Sequence, residues 1–227
     1  ILNLLLDYSD LKCDKEININ IYFTPFKKIL PEKNLTSINP INVNTGFTTA
    51  NCYGNNEINI YRYEEWLKVL IHELIHNLNL DFSIININEI KKNLKNIFKI
   101  NSEYNLFETY TEAWAEIIYL CVISFFNIER KTQKLFLEEF DNLMEMEIIY
   151  STIQANKIIK LFRQPDFIEN TNSFCYYVLK LVLIFYYKLF LRWCKNNNKN
   201  LVNFDKSIRK VKLFEEFILK NLKKKNF

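Results

Sequence analysis

The chain of 227 residues contains two histidines, His72 and His76, and they stand four apart in the stretch VLIHELIHNL with Glu73 between them. On a helix turning about 100° per residue, His76 lies about 40° from His72, and Glu73 about 100° from it on the neighbouring flank. Two imidazoles one turn apart can converge on one Zn²⁺ while the carboxylate sits beside the metal. That is the requirement of metal-assisted hydrolysis. The ion acidifies a water, and the carboxylate takes its proton and later passes it to the leaving amine. The competing explanation is a buried helix whose histidines bond to backbone or water. Shuffling this composition would produce the spacing roughly once in a thousand tries. Buried imidazoles beside a carboxylate also need partners, so the metal reading is preferred.

Two histidines leave a catalytic zinc one protein ligand short. Immediately downstream, HNLNLDF offers Asp81 alone. The stretch FETYTEAWAEIIY, 107–119, offers more: Glu108, Glu112 and Glu116 recur every fourth residue and share about 80° of helix surface. By itself such a stripe reads as a solvated acidic face. The same segment is rich in Trp, Tyr, Ile and Ala, however, and the chain still needs a carboxylate.

HELIH resembles the HExxH of the zincin metallopeptidases, and Val69, Leu74, Ile75 and Leu78 fit the flanks seen there. This likeness covers some ten residues. EAWAE, 112–116, is similar to the glutamate helix of the gluzincin branch. The resemblance implies a zincin-like fold and a zinc-dependent metallopeptidase acting on peptides or proteins, endopeptidase favoured over exopeptidase, with Glu73 as general base and acid. It also implies Glu112 as third zinc ligand and Glu116 as the acid holding a ligand histidine in its tautomer. Glu108 is the runner-up for the ligand place. Gluzincins often add a Tyr or His that stabilises the oxyanion; with no histidine left, Tyr104 and Tyr110 are the candidates here. An edge strand that pairs with extended substrate would fall on Thr45, Gly46, Phe47, Thr48, Thr49 and Ala50. The alternative function is a non-catalytic scaffold or binding module in which zinc staples two helices, with Glu108 closing the coordination sphere.

The elements that must carry these residues are legible in outline. Strands are expected at 16–23, where Asn and Ile alternate, at 45–50 and at 57–61, with a turn at Gly54 and Asn55 between the last two. Pro25, Pro31 and Pro40 punctuate a loop-rich stretch. From Glu64 the pattern turns helical, predicting helices near 64–80, 106–127, 130–162, 173–195 and 204–223, with a break around Pro165. The fold class is α+β. Residues 1–127 would hold a small antiparallel or mixed sheet with the active-site and glutamate helices, and 128–227 a helical lobe.

Composition narrows the remaining choices. Hydrophobic residues at 49% and aromatics at 15% describe a globular chain. The two glycines, Gly46 and Gly54, exclude Gly-rich phosphate loops. A net charge of +4, much of it in the terminal KNLKKKNF, suggests a solvated tail, and no nucleic-acid partner is expected. Five scattered cysteines without a CxxC pair point to reduced thiols in a cytoplasm-like compartment. No signal peptide is expected. The apolar run YVLKLVLIFYYKLFL carries Lys180 and Lys188, which suits a core helix better than a membrane span.

Overall fold

The computed structural model describes residues 1–10, 16–29, 37–49, 56–86, 94, 97–98, 104–164 and 167–224. Ala50, the turn at Gly54 and Asn55, and the break expected at Pro165 lie outside these residues. After a short helix α1 (Leu2–Tyr8), the chain forms β1 (Asn18–Thr24), β2 (Ser37–Ile38), α2 (Pro40–Val43), β3 (Gly46–Thr49) and β4 (Glu57–Arg62). Strands β1, β4 and β3 make a mixed sheet in that order, β1 parallel and β3 antiparallel to β4. β4 is therefore the middle strand, with Ile58 and Ile60 fully buried, and β3 is an edge.

Helix α3 (Trp66–Asn77) carries both histidines and packs between β3 and β4 on one side and α4 (Leu106–Asn127) on the other. Its apolar residues Ile71, Leu74 and Ile75 are buried, so the polar residues set among them enter the interior too. The helix ends where Asn79 adopts the left-handed conformation at φ 52°. The Leu80 amide then returns to the Ile75 carbonyl at 2.9 Å, a Schellman-type stop.

Close approach of α3 to the sheet depends on Gly46. A Cβ added there would lie 2.7 Å from Ile60 Cδ1, 2.8 Å from the Asn59 carbonyl oxygen and 3.1 Å from Val69 Cγ1. The backbone oxygen cannot retreat without disturbing the pairing of β3 with β4.

The C-terminal half comprises α5 (Gln133–Phe162), β5 (Ile168–Glu169), a π-helical segment (Phe174–Leu179), α6 (Lys180–Phe185), α7 (Tyr187–Asn197) and α8 (Ile208–Leu222). β5 pairs in parallel with β2, which ties this half back to the N-terminal part. The single helix expected over 173–195 is not formed. It opens as a π-helical turn and bends by 91° between Phe185 and Tyr187. The bend carries Phe190 into an aromatic cluster with Tyr110, Trp114 and Phe214. No single helix among the described residues is long and apolar enough to cross a membrane.

Where the π-helical segment begins, Glu169 accepts hydrogen bonds from the Phe174 amide (3.1 Å) and the Thr171 hydroxyl (3.0 Å). Burial nevertheless pushes its carboxyl up to about 7. A carboxyl raised on folding binds its proton more tightly in the native state than in the unfolded one. Stability contributed at Glu169 should therefore fall as pH rises from about 4.5 to about 7 and be flat above. Denaturant unfolding of the native chain and of Glu169→Gln across that window should show the slope in the former and its loss in the latter. Gly46→Ala should lower stability by about 1–3 kcal/mol through overpacking, read as a lower midpoint in the same experiment.

Candidate metal centre

On α3, His72 and His76 face α4, and α4 presents Glu108, Glu112 and Glu116 one turn apart along the facing surface. His72 Nε2 and His76 Nε2 lie 3.0 Å from each other. Glu108 Oε2 lies 3.3 Å from the first and 3.2 Å from the second. These three groups form a cluster whose ligand atoms all lie within 4.8 Å of one another.

The outer nitrogens of both rings are held by carboxylates. His72 Nδ1 lies 2.8 Å from Glu112 Oε2, and His76 Nδ1 meets Asp81 Oδ2. An ionised carboxylate only accepts, so each Nδ1 carries the hydrogen. In neutral rings both Nε2 atoms then present lone pairs to one another and to a carboxylate oxygen. A cation among them reconciles three such donors, and two imidazoles with one carboxylate form the ligand set of a catalytic zinc site. Without a metal, protons must serve. Burial opposes charge on His72, but hydrogen bonds to Glu108 and Glu112 outweigh it and lift its pKa to about 9. For Glu108, too, burial works against the charge, yet the neighbouring His76 and His72 hold its carboxyl down at about 2.

The partition of the three glutamates differs from the expected one by a helical turn. Glu108, the runner-up, is the residue that converges with the histidines. Glu112 holds the His72 tautomer, and its other oxygen, Oε1, accepts from Lys68 Nζ at 2.6 Å. Among the contacts of the described residues, Glu116 meets neither histidine and instead pairs with Lys180 at 3.0 Å. The cause is axial offset. His76 sits toward the C-terminal end of α3, opposite the first turn of α4, where Glu108 stands. Glu108 is held there by Asn172, whose Nδ2 donates to Oε1 at 3.2 Å.

Asp81, which the sequence offered as a metal ligand, instead supports His76 from behind, a role that spacing alone did not reveal. The signal was present: Asn79, tolerant of left-handed backbone, reverses the chain so that Asp81 comes back under His76. Asp81 is fully buried, and its Oδ1 accepts from the Ser83 amide (3.0 Å) and hydroxyl (2.8 Å).

A cleft reaches the His72 side of the centre, lined by Thr45, Gly46, Lys68, His72, Glu73, Glu112, Tyr176 and Tyr177 among others, while His76 and Glu108 lie behind its wall. Glu73 lies on its wall, 8% exposed, and burial raises its carboxyl pKa. Of the expected substrate-binding strand, Thr45 and Gly46 reach this cleft. Phe47 is 52% exposed, while Thr48 donates to the Glu57 carbonyl and the Glu57 amide donates to Thr49. Tyr104 and Tyr110 are not among the cleft-lining residues, which corrects their assignment as oxyanion donors. Both are fully buried: the Tyr104 ring packs 5.8 Å from Phe174, and the Tyr110 hydroxyl donates to the Val202 carbonyl at 2.6 Å. The tyrosine beside the centre is Tyr176, its ring 5.7 Å from that of His72. Burial keeps its hydroxyl protonated well beyond the usual range. Its position depends on the π-helical segment, which the apolar pattern of 173–195 does not disclose.

Comparison with protein-family models, with curated proteins and with solved structures gives no match.

The geometry ranks the carboxylates. Protein purified without added metal should contain about one zinc per chain by mass spectrometry, and Glu108→Ala should lose it. Glu112→Gln should keep the stoichiometry and bind about 10–100-fold more weakly, as when an outer partner of a ligand histidine is removed. The opposite ranking would give Glu112 the ligand place.

Proposed function

We propose that the chain is a zinc-dependent metallopeptidase of gluzincin type, with a zincin-like arrangement of sheet, histidine helix and glutamate helix. The observation that carries this reading is the convergence of His72 Nε2, His76 Nε2 and Glu108 Oε2, with Glu73 beside them on the cleft wall. His72, His76 and Glu108 would hold the ion, which when bound supplies Lewis acidity toward water and the scissile carbonyl.

The chain's own groups do the rest. Glu73 takes the proton from the attacking water and returns it to the leaving amine. Burial raises its pKa, which makes the carboxylate a stronger base than an exposed one. No hydrogen bond or ion pair to Glu73 is found among the described residues, so its carboxylate is free to do so. Tyr176 stays a hydroxyl and can donate to the oxyanion that forms on the carbonyl. Edge strand β3 offers its open side to an extended peptide, beginning at Thr45 and Gly46, which line the cleft.

Past Lys28, Val43, Glu65 and Tyr177 the cleft continues into a cavity of about 510 Å³ bounded also by Asn42, Tyr150 and Gln154. Room on that side of the centre supports an endopeptidase over an enzyme confined to chain ends. A scaffold with a closed zinc site would have no use for a buried, unpaired carboxylate at Glu73.

Glu73→Gln should retain zinc and lose cleavage of end-blocked peptides by at least about 100-fold, the scale of general acid–base catalysis. Undiminished cleavage by that variant would overturn the proposal.

A further inference from the structure

Behind the centre, a file of buried and half-buried charges leads away from His72. Glu112 receives Lys68 Nζ at 2.6 Å on the oxygen that does not face the histidine. Lys68 Nζ is also 3.8 Å from Glu116 Oε2, and that same oxygen is 3.0 Å from Lys180 Nζ. Lys180 reaches on to Glu147 Oε1 at 2.9 Å, where the Ser151 hydroxyl also donates. The signs alternate without a break: Glu112, Lys68, Glu116, Lys180, Glu147. Lys180 is 3% exposed and Glu116 4%, so neither has water to fall back on.

Buried charges are kept only where each has a partner, and removing one leaves the other seeking a replacement. Glu116 shares its Oε2 between two ammonium groups. If Lys180 is absent, Lys68 is the nearest cation left to it among the described residues. Lys68 is also the clamp on Glu112. Drawn from its present 3.8 Å into contact with Glu116, it would loosen its hold on Glu112 Oε1, and the carboxylate would lose the orientation that puts Oε2 on His72 Nδ1.

We infer that Lys180 is a positioning residue for the metal centre: by holding Glu116 it leaves Lys68 to Glu112, and so fixes the tautomer and angle of His72. The inference rests on the metal site proposed above. It also gives the C-terminal half a role there, since Lys180 opens α6 directly after the segment that carries Tyr176.

The test compares four proteins by zinc affinity in chelator competition, by the visible spectrum of the Co²⁺-loaded form, and by melting temperature. Lys180→Met should weaken zinc binding about tenfold or more and alter the cobalt bands. Lys180→Arg, which keeps the charge, should stay near native. The double variant Lys180→Met with Glu116→Gln removes the competitor for Lys68, and its zinc affinity should return to within about threefold of native.

Native-like affinity and spectrum in folded Lys180→Met would overturn the inference. So would a double variant as weak as the single one, since a packing defect would not be repaired by neutralising Glu116. Should Lys180→Met fail to fold, Lys180→Gln is read by the same criteria. A native chain that takes up no zinc sinks the metal site and this inference together; a native chain that binds, beside variants that bind equally, sinks this inference alone.

Discussion

Three lone-pair donors pointed at one spot are unstable company, and much of this molecule is arranged to keep them there. Two imidazole nitrogens 3.0 Å apart and a carboxylate oxygen just over 3 Å from each repel one another unless positive charge lies between. Each therefore needs an anchor on its far side. Glu112 and Asp81 take the outer ring nitrogens, and Asn172 takes the second oxygen of Glu108. The anchors are anchored in turn, Glu112 by Lys68 and Asp81 by Ser83. Asp81 and Glu112 are themselves buried, which makes their bonds to the ring nitrogens difficult to exchange for water.

This demand accounts for features that would otherwise look wasteful. Helix α4 runs through the middle of the protein, in contact with α3, α5, the π-helical segment and α6, yet it carries three glutamates on its most enclosed stretch. A core helix made of leucine and alanine would be cheaper in desolvation. Here successive carboxylates share a row of imidazole and ammonium partners: Glu108 meets His72 and His76, Glu112 meets His72 and Lys68, and Glu116 meets Lys68 and Lys180. The stripe is a graded scaffold instead of a charged surface.

Much of this architecture was legible from residue types and spacing. Asn–Ile alternation in β1, the paired strands β3 and β4, and the helices α3, α4, α5 and α8 follow from periodicity, and the structure forms them with ends shifted by a few residues; the helix expected over 173–195 is instead broken and bent. HELIH disclosed two of the converging groups because a four-residue spacing on a helix is a geometric statement in itself. The choice among Glu108, Glu112 and Glu116 was not legible. All three lie on the same face, and what separates them is how far α4 slides along α3, a tertiary quantity. The supporting role of Asp81, which the sequence offered only as a ligand, and the place of Tyr176 were hidden for a related reason. One depends on a left-handed Asn79 and the other on a π-helical turn, both local departures from the regular periods that sequence patterns report.

The order in which these groups occur along the chain has a consequence for biosynthesis. The histidine pair is made first, Glu108 some thirty residues later, and Asn172, Tyr176 and Lys180 more than sixty residues after Glu108. A nascent chain with α3 and α4 but without the π-helical segment has its converging groups yet lacks the brace on Glu108 and the tyrosine over the cleft. Because such distant segments must meet before the centre is whole, the converging groups gain their braces only when the later segments fold onto them.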